Sequence, residues 1–364
     1  MTHAPHAFVT GYPGFIARRL VRKLLLANDE LTMTVLIEAK QQARAEEAIA
    51  HLAFHSGIDR TRISPVVGDV TAMDVGLSGI EFRAVTERAT EIYHLAALHT
   101  LDADRTAADA VNVRGTANIL SLARAVAHLE RFVHFSSAYV SGDRRGVIME
   151  HELDAGQGFR NAYEATKYHA EVLVRRTQKT LPSIVIRPAG VVGDSRTGEI
   201  DRFDSVYHIG MLLAGSPAAF PVPIAGEGCA PLNLIPVDYL VDAVHAIVQR
   251  PESIGRTFHV VDPNALSSRT VYEIIAERSG KKPPRYRVSP NLTKVLLRIP
   301  GLERFAAVSH QAIDYLNHMA FYNSRNTLDV LEGTGIRCPH FEDYVDNLMQ
   351  YVRDYFERQA SHHR

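Results

Sequence analysis

Cysteine is scarce in this sequence. The chain carries only Cys229 and Cys338, far apart, so it has neither a disulfide framework nor a cysteine cluster with metal spacing. A reduced, cytoplasmic setting is the simplest expectation. Excess charge of one sign is missing too, because 40 Lys and Arg residues face 41 Asp and Glu. Without a long basic run, the composition argues against general nucleic-acid binding. No apolar stretch approaches the ~18 residues that a membrane-spanning helix requires. The opening MTHAPHAFVTG enters an expected strand at once, which leaves no room for a secretory signal peptide. HExxH is absent and the 18 histidines are scattered, so no metal site is expected. His362 and His363 in the tail read as disordered rather than metal-bound.

What is present is a repeated alternation of apolar strands and amphipathic helices. Ala7 to Thr10 reads as a strand, followed by the turn Gly11-Tyr-Pro-Gly14-Phe15-Ile16-Ala17. The helix after it carries Ile16, Leu20 and Leu24 on one stripe. A strand, a glycine turn and a helix are the context of a dinucleotide fingerprint. Gly11 permits the tight turn, Gly14 lets backbone approach a pyrophosphate, and Ala17 lets the helix pack on its strand. Amides at the helix N-terminus then face the phosphates. A purely structural βα turn is the competing reading.

Further strands are expected at Thr34 to Ile37, Ile63 to Gly68, Glu91 to Leu95, Phe132 to Phe135 and Ser183 to Arg187. Helices are expected over Lys40 to Ala53, over Val111 to Ala127 and from Tyr163 onward. This spacing predicts an α/β protein with a Rossmann-type, doubly wound parallel sheet. Ligands in such sheets bind beyond the carboxyl ends of the strands. Gly11, Asp69, Ala96 and Ser137 all follow strand ends, so they converge on one crevice. Glu38 closes the second strand, where a carboxylate accepts hydrogen bonds from ribose hydroxyls and repels a 2′-phosphate. That favours NAD, although Lys40 and Arg44 admit NADP if they flank the ribose.

The stretch Asn161 to Glu171, NAYEATKYHAE, carries the candidate chemistry. Of the 14 tyrosines only Tyr163 has a lysine four residues on, Lys167. On a helix the two lie on one face. An ammonium beside a phenol favours the phenolate and lowers the tyrosine pKa from ~10 toward working pH. Tyr163 is therefore a candidate proton donor and acceptor. A surface tyrosine and a solvated lysine are the plainer reading of the same spacing.

The Gly11-x-x-Gly14-x-x-Ala17 loop, Asp69-Val70, His94-Leu-Ala-Ala97, Asn112 and Tyr163-x-x-x-Lys167 resemble the extended short-chain dehydrogenase/reductases over nearly the whole chain. Further features look like one branch, the thioester and fatty acyl reductases, including the terminal domains of carboxylic acid reductases. They are Gly68-Asp69 followed by Leu77-Ser78, His134-Phe-Ser-Ser-Ala-Tyr139, Ala170-Glu171 and Gly193-Asp-Ser-Arg-Thr-Gly198. One departure stands out: members of that branch commonly carry a basic residue where this chain has Glu38, and they prefer NADPH.

The resemblance implies NAD(P)(H) contacts at Thr10, Gly11, Gly14, Phe15, Ile16, Glu38, Asp69, Val70, Leu95, Ala96, Ala97, Tyr163, Lys167 and Pro188. It implies a substrate hydroxyl contact from Ser137, proton transfer by Tyr163 and ribose binding by Lys167. Asn112 would organise its helix or a proton-relaying water, or else make a helix-internal contact. Ser136 points the other way along an extended chain and reads as structural. His94 and His134 read as histidines hydrogen-bonded within the core.

After Pro188 the pattern loosens. Residues 1–190 and about 232–262 are expected to form the dinucleotide domain, with Leu234 to Val244 returning to the sheet and Phe258 to Val261 as a strand. About 191–231 and 263–364 are expected to form a smaller, mostly helical substrate lobe, including a helix from Val206 to Leu213 and a proline-rich Pro217 to Pro223. Leu292 to Phe305 alternates leucines with Lys294, Arg298 and Arg304. It reads as a lobe or dimer helix, with peripheral membrane contact as the other reading. The expected function is reduction of an acyl thioester, aldehyde or ketone on an apolar chain. Steroid-type alcohol dehydrogenation and nucleotide-sugar epimerisation or dehydration are alternatives, the sugar requiring a clamp such as Arg269, Arg285 and Arg287. A non-catalytic cofactor sensor would not need Ser137, Tyr163 and Lys167 together.

Overall fold

Five residues, His6–Thr10, form the central strand β1, and each of them is buried. Around it lie β2 (Thr32–Ile37), β3 (Ile63–Val67), β4 (Glu91–His94), β5 (Arg131–Phe135), the outlying β6 (Gly146–Ile148) and β7 (Ser183–Pro188). The structure is a computed structural model that describes residues 4–100, 104–201, 224–225, 227–280, 287–288 and 315–362. One seven-stranded sheet runs in the order Thr257–Val260, β7, β5, β4, β1, β2, β3. All of its pairings are parallel. The order reverses direction between β1 and β4, which places the binding crevice at the carboxyl ends of those two strands.

Strands buried on both faces read as continuous apolar runs, and here successive residues feed opposite cores. Ala7 and Val9 pack with Leu20, Val21 and Leu24 of α1 (Phe15–Ala27) and with Leu240 and Val244 of the helix Val237–Val248. Phe8 faces the other way, into a core with Ile92 and Phe132. That second core is closed by Val85 of α3 (Gly79–Arg88) and Ile119 of α5 (Gly115–Ala125). β3 lies at the edge, and its exposed Ser64 and Pro65 suit a strand that pairs on one side only.

Several boundaries differ from expectation. The second helix begins as a 3₁₀ turn, Ala39–Gln41, and α2 runs from Gln42 to Ser56, ending on left-handed Gly57. The helix expected from Val111 starts earlier, as α4 (Arg105–Ala108), and passes through a π-helical stretch, Asp109–Arg114. Leu234–Pro236 does not rejoin the main sheet. It pairs with Gly190–Val192 in a separate two-stranded ladder, because the chain leaves β7 through that short strand first.

A further core joins Val192, Ile200 and Leu232 to Tyr272 and Ile275 of the helix Ser268–Arg278 and to Tyr344 and Leu348 of the helix Phe341–His362. His362 thus ends a helix, contrary to the expectation for the tail, and His363 lies outside the described residues. The helix Arg325–Leu331, within the stretch expected for the lobe, instead adds Val330 and Leu331 to the core of the sheet. Val206 to Leu213, Pro217 to Pro223 and Leu292 to Phe305 lie outside the described residues. Among the described residues, no helix is long and apolar enough to cross a membrane, and no group of three or more His, Cys, Asp and Glu could hold a metal ion.

Candidate active site

The glycine turn after β1 is closed by backbone alone. Gly11 has φ +83°, and a Cβ there would lie 2.8 Å from Ala96 N. Gly14 donates its N–H to Gly11 O at 2.8 Å, and a Cβ on Gly14 would lie 2.7 Å from that same oxygen. Both glycines are therefore demanded by the turn before any ligand arrives. Gly14 is also the N-cap of α1 and supplies no side-chain cap, and the first turn holds no acidic residue. An uncapped N-terminus beside a turn closed through two glycines fits a dinucleotide pyrophosphate. Phe15 and Ile16 open the helix half-buried, and Ala17 is buried against the sheet.

Thr10 ties this turn to the end of β4. Its hydroxyl accepts from Ala96 N at 3.1 Å and meets His94 Nδ1 at 2.9 Å. His94 Nε2 reaches Thr116 Oγ1 at 3.0 Å, and that hydroxyl donates to Asn112 O at 2.6 Å. With Thr116 already donating, His94 must donate from Nε2 and accept Thr10 at Nδ1. Burial, with Lys167 nearby, pushes the imidazole down to about 3, so the ring is neutral.

Asn112 continues the chain. Its Oδ1 accepts from Leu98 N at 2.7 Å, and its Nδ2 donates to Leu98 O at 3.0 Å and to Thr166 Oγ1 at 2.9 Å. Thr166 lies on α6 (Ala162–Thr177), so one buried chain of polar contacts runs from the glycine turn to the helix of Tyr163. His134 corrects the expectation for it. Both of its ring nitrogens are buried without a hydrogen-bond partner among the described residues.

At the end of β5, Ser137 is buried and caps a 3₁₀ turn, Ala138–Ser141, by accepting from Tyr139 N at 3.2 Å. Its hydroxyl proton remains available to donate. Ser136 donates instead to Glu171 at 2.6 Å, the structural role expected of it. α6 packs on this turn and is capped by Asn161, whose Oδ1 accepts from Glu164 N at 3.0 Å. Tyr163 lies half-buried in the first turn of α6, near enough to Tyr139 to add to the burial that pushes the Tyr139 phenol up.

Lys167 is buried one turn on, and its ammonium donates to Phe135 O at 2.5 Å. Burial brings it down to about 8, with Glu171 opposing the shift. Glu171 is itself gripped by Arg187 at 2.8 and 3.0 Å and by Arg175 at 2.9 Å. Burial raises Glu171, but the two guanidiniums and the Ser136 hydroxyl outweigh it and hold the carboxyl at about 2.

Most of the remaining expected residues stand at or just past other strand ends. Asp69 is exposed and accepts from Thr71 N at 2.8 Å, while Val70 is buried against α5. Leu95, Ala96 and Ala97 are half-buried after β4, and Pro188 ends β7. Glu38 is exposed and paired with Lys40 at 2.6 Å, whereas Arg44 turns to Asp201 at 2.7 Å. Arg269 donates to Glu227 O at 3.1 Å; Arg285 and the side chain of Arg287 fall outside the described residues.

Two residues with a place here were missed. Tyr139 joins Tyr315, His318 and Tyr322 around a small cavity of about 20 Å³. Tyr315 donates to Glu164, the neighbour of Tyr163, at 2.6 Å. The motif around Ser137 contained Tyr139, but nothing local marks Tyr315.

Comparison with known proteins adds to this geometry. The family model described as male sterility protein, an NAD-binding family, matches residues 9–244. A linear gramicidin synthase from Brevibacillus parabrevis is 25% identical over 97% of this chain, which spans 7% of that protein. Fatty acyl-CoA reductase wat from Drosophila melanogaster is 25% identical over 66% of this chain, which spans 53% of it. The chain thus matches only part of the length of both relatives. Among solved structures, the terminal R domain from the myxalamid PKS-NRPS biosynthetic pathway superposes with a TM-score of 0.79. It is 26% identical, with 97% of this chain and 91% of that one covered.

Proposed function

The chain belongs to the male sterility protein family of NAD-binding domains, and on that premise we propose that it reduces an acyl thioester on an apolar chain. It is an NAD(P)-dependent oxidoreductase of the extended short-chain dehydrogenase type. One observation carries the catalytic part of this reading: Tyr163 and Lys167 stand a turn apart on a helix packed against the Ser137 turn, with the Lys167 ammonium on the last carbonyl of β5. A sensor would not need Ser137, Tyr163 and Lys167 together.

The reduced nicotinamide supplies the hydride. Ser137 donates a hydrogen bond to the substrate carbonyl oxygen and fixes it beside Tyr163. Tyr163 gives its proton to that oxygen as the carbonyl carbon accepts hydride. The resulting hemithioacetal then collapses, its hydroxyl returning the proton to Tyr163. The carbon–sulfur bond breaks with its electron pair going to sulfur, and the thiolate takes up a proton, giving an aldehyde and a free thiol. Lys167 holds the nicotinamide ribose and carries positive charge near the phenol. Asn112 acts through Thr166, holding α6 at its distance from the β4 end. Residues 1–190 with about 232–262 hold the dinucleotide, Thr10 to Ile16 its pyrophosphate, and Glu38, Asp69 and Val70 its adenosine. Leu95 to Ala97 and Pro188 flank it toward the nicotinamide.

The names of two similar proteins, a fatty acyl-CoA reductase and a terminal R domain of a PKS-NRPS pathway, support an acyl substrate. Absorbance of the reduced cofactor, followed over acyl-CoA thioesters, ketosteroids and uridine-diphosphate sugars, tests the reading. Consumption with the thioesters and release of thiol are expected. Turnover confined to the steroids or sugars sinks the thioester reading, and cofactor binding with no turnover anywhere favours the sensor.

A further inference from the structure

A cavity of about 570 Å³ opens beside the glycine turn, between Arg18 of α1, Arg44 in the first turn of α2, Asp201 and Tyr351. Tyr12, inside the turn, is buried in the same core as Ala17 of α1 and Ala45 of α2, so both helices pack beside the turn. The first turn of α2, which carries Arg44, follows the end of β2 through the 3₁₀ turn Ala39–Gln41, and an adenosine ribose sits at that strand end in this fold.

Asp201 stands between the two arginines. Its Oδ1 meets Arg18 Nη2 at 2.5 Å and its Oδ2 meets Arg44 Nη2 at 2.7 Å. Each carboxylate oxygen thus serves a different guanidinium, and the two cations are drawn to one point. Glu38, the residue whose carboxylate suggested NAD, is itself matched with Lys40 at 2.6 Å in an exposed pair. Solvent screens such a pair, and its charges largely cancel at a distance. Glu38 alone is therefore a poor barrier to a phosphate. Asp201 is better placed, because its side chain is 19% exposed and it takes one Nη2 from each guanidinium, the kind of group that forms bidentate contacts with phosphate oxygens.

We propose that Asp201 sets the cofactor preference of this chain: by holding Arg18 and Arg44 on separate oxygens it denies them to a 2′-phosphate and favours NAD over NADP. The inference rests on the dinucleotide reading of the glycine turn. It assigns to a residue beyond β7 a selection that sequence reasoning placed at the end of β2.

Calorimetric titration of the full chain with adenosine 5′-phosphate and adenosine 2′,5′-bisphosphate tests it without turnover. Asp201→Asn keeps the shape of the side chain and removes its charge. The bisphosphate should then bind about tenfold more tightly, while the monophosphate stays within about twofold. Arg44→Gln added to Asp201→Asn should abolish the gain, and Glu38→Gln alone should give a smaller one. A bisphosphate-to-monophosphate ratio unchanged by Asp201→Asn, or a gain that survives Arg44→Gln, overturns the inference and leaves the dinucleotide reading standing. Failure of the parent to bind either nucleotide overturns both.

Discussion

Lys167 and Glu171 occupy successive turns of α6, both buried, and their protonation behaviour sets two different pH windows. Lys167 loses its proton near 8 in the folded chain, against 10.5 for an ordinary lysine. Between those values the unfolded chain binds more protons, so this group makes stability rise with pH. Glu171 stays ionised down to about 2, against 4.5 ordinarily, so its contribution is present above 4.5 and lost as pH falls through 2. Urea midpoints measured across pH should lose the alkaline rise in Lys167→Met and the acid fall in Glu171→Gln. At neutral pH Glu171→Gln should cost about 3–5 kcal/mol, because it leaves the buried Arg187 without its counter-charge. An acid limb identical to the parent's would mean that another carboxylate governs acid unfolding.

Tyr163→Phe removes only the hydroxyl, so melting temperature and cofactor affinity should hold while turnover falls ~10²–10⁴-fold. Stopped-flow hydride transfer decides it, and a near-parent rate removes Tyr163 from the chemistry. Tyr163 and Lys167 were legible because helical spacing puts them on one face. Arg187 was not, since nothing in its neighbourhood announces a partner 16 residues away.

The glycine turn and the π-helical stretch show what element-level reading captures and what it loses. Strand, turn and helix were legible from Ala7 to Leu24, because the apolar period changes from continuous to helical across two glycines. The reason for Gly14 was not, since its Cβ would meet Gly11 O and not a ligand first. Gly14→Ala should therefore shift the turn itself. It should cost about 1–3 kcal/mol of stability, and it should weaken NAD binding at least about tenfold by moving the amides of α1. Thermal melts and calorimetry on one preparation separate the two effects. Full-strength binding by a folded, destabilised Gly14→Ala chain would remove the turn from the cofactor site. The π-helical stretch was illegible for a different reason: Asp109 to Arg114 has ordinary helical composition, and its geometry is tied to contacts of Asn112 with Leu98 and Thr166. Leu234–Pro236 was misplaced likewise, because an apolar triplet does not say which neighbour it will pair with.

At the scale of the whole molecule, the C-terminal part of the chain returns to the body at several points. Ala320–Tyr322 pairs with β6, Arg325–Leu331 packs on the sheet, and Phe341–His362 closes a core of its own with Ser268–Arg278. Tyr315 reaches the first turn of the helix that carries Tyr163. Its hydroxyl donates to Glu164 at 2.6 Å and accepts from Asn161, the cap of α6, at 2.9 Å. Arg160 lies 4.7 Å over its ring and also reaches Glu164 at 2.8 Å. Glu164 and Tyr315 are 151 residues apart, which is why no local pattern revealed the contact. Together these groups fix the first turn of α6, and Tyr163 sits inside it. Tyr315→Phe keeps the ring and both of its stacking contacts but leaves the buried Glu164 short of a donor, which should cost about 1–3 kcal/mol. If the C-terminal segment positions Tyr163, single-turnover hydride transfer should slow with NAD affinity unchanged, and Tyr315→Phe with Tyr163→Phe should be no slower than Tyr163→Phe alone. A variant that melts earlier yet transfers hydride at the parent rate would confine Tyr315 to packing.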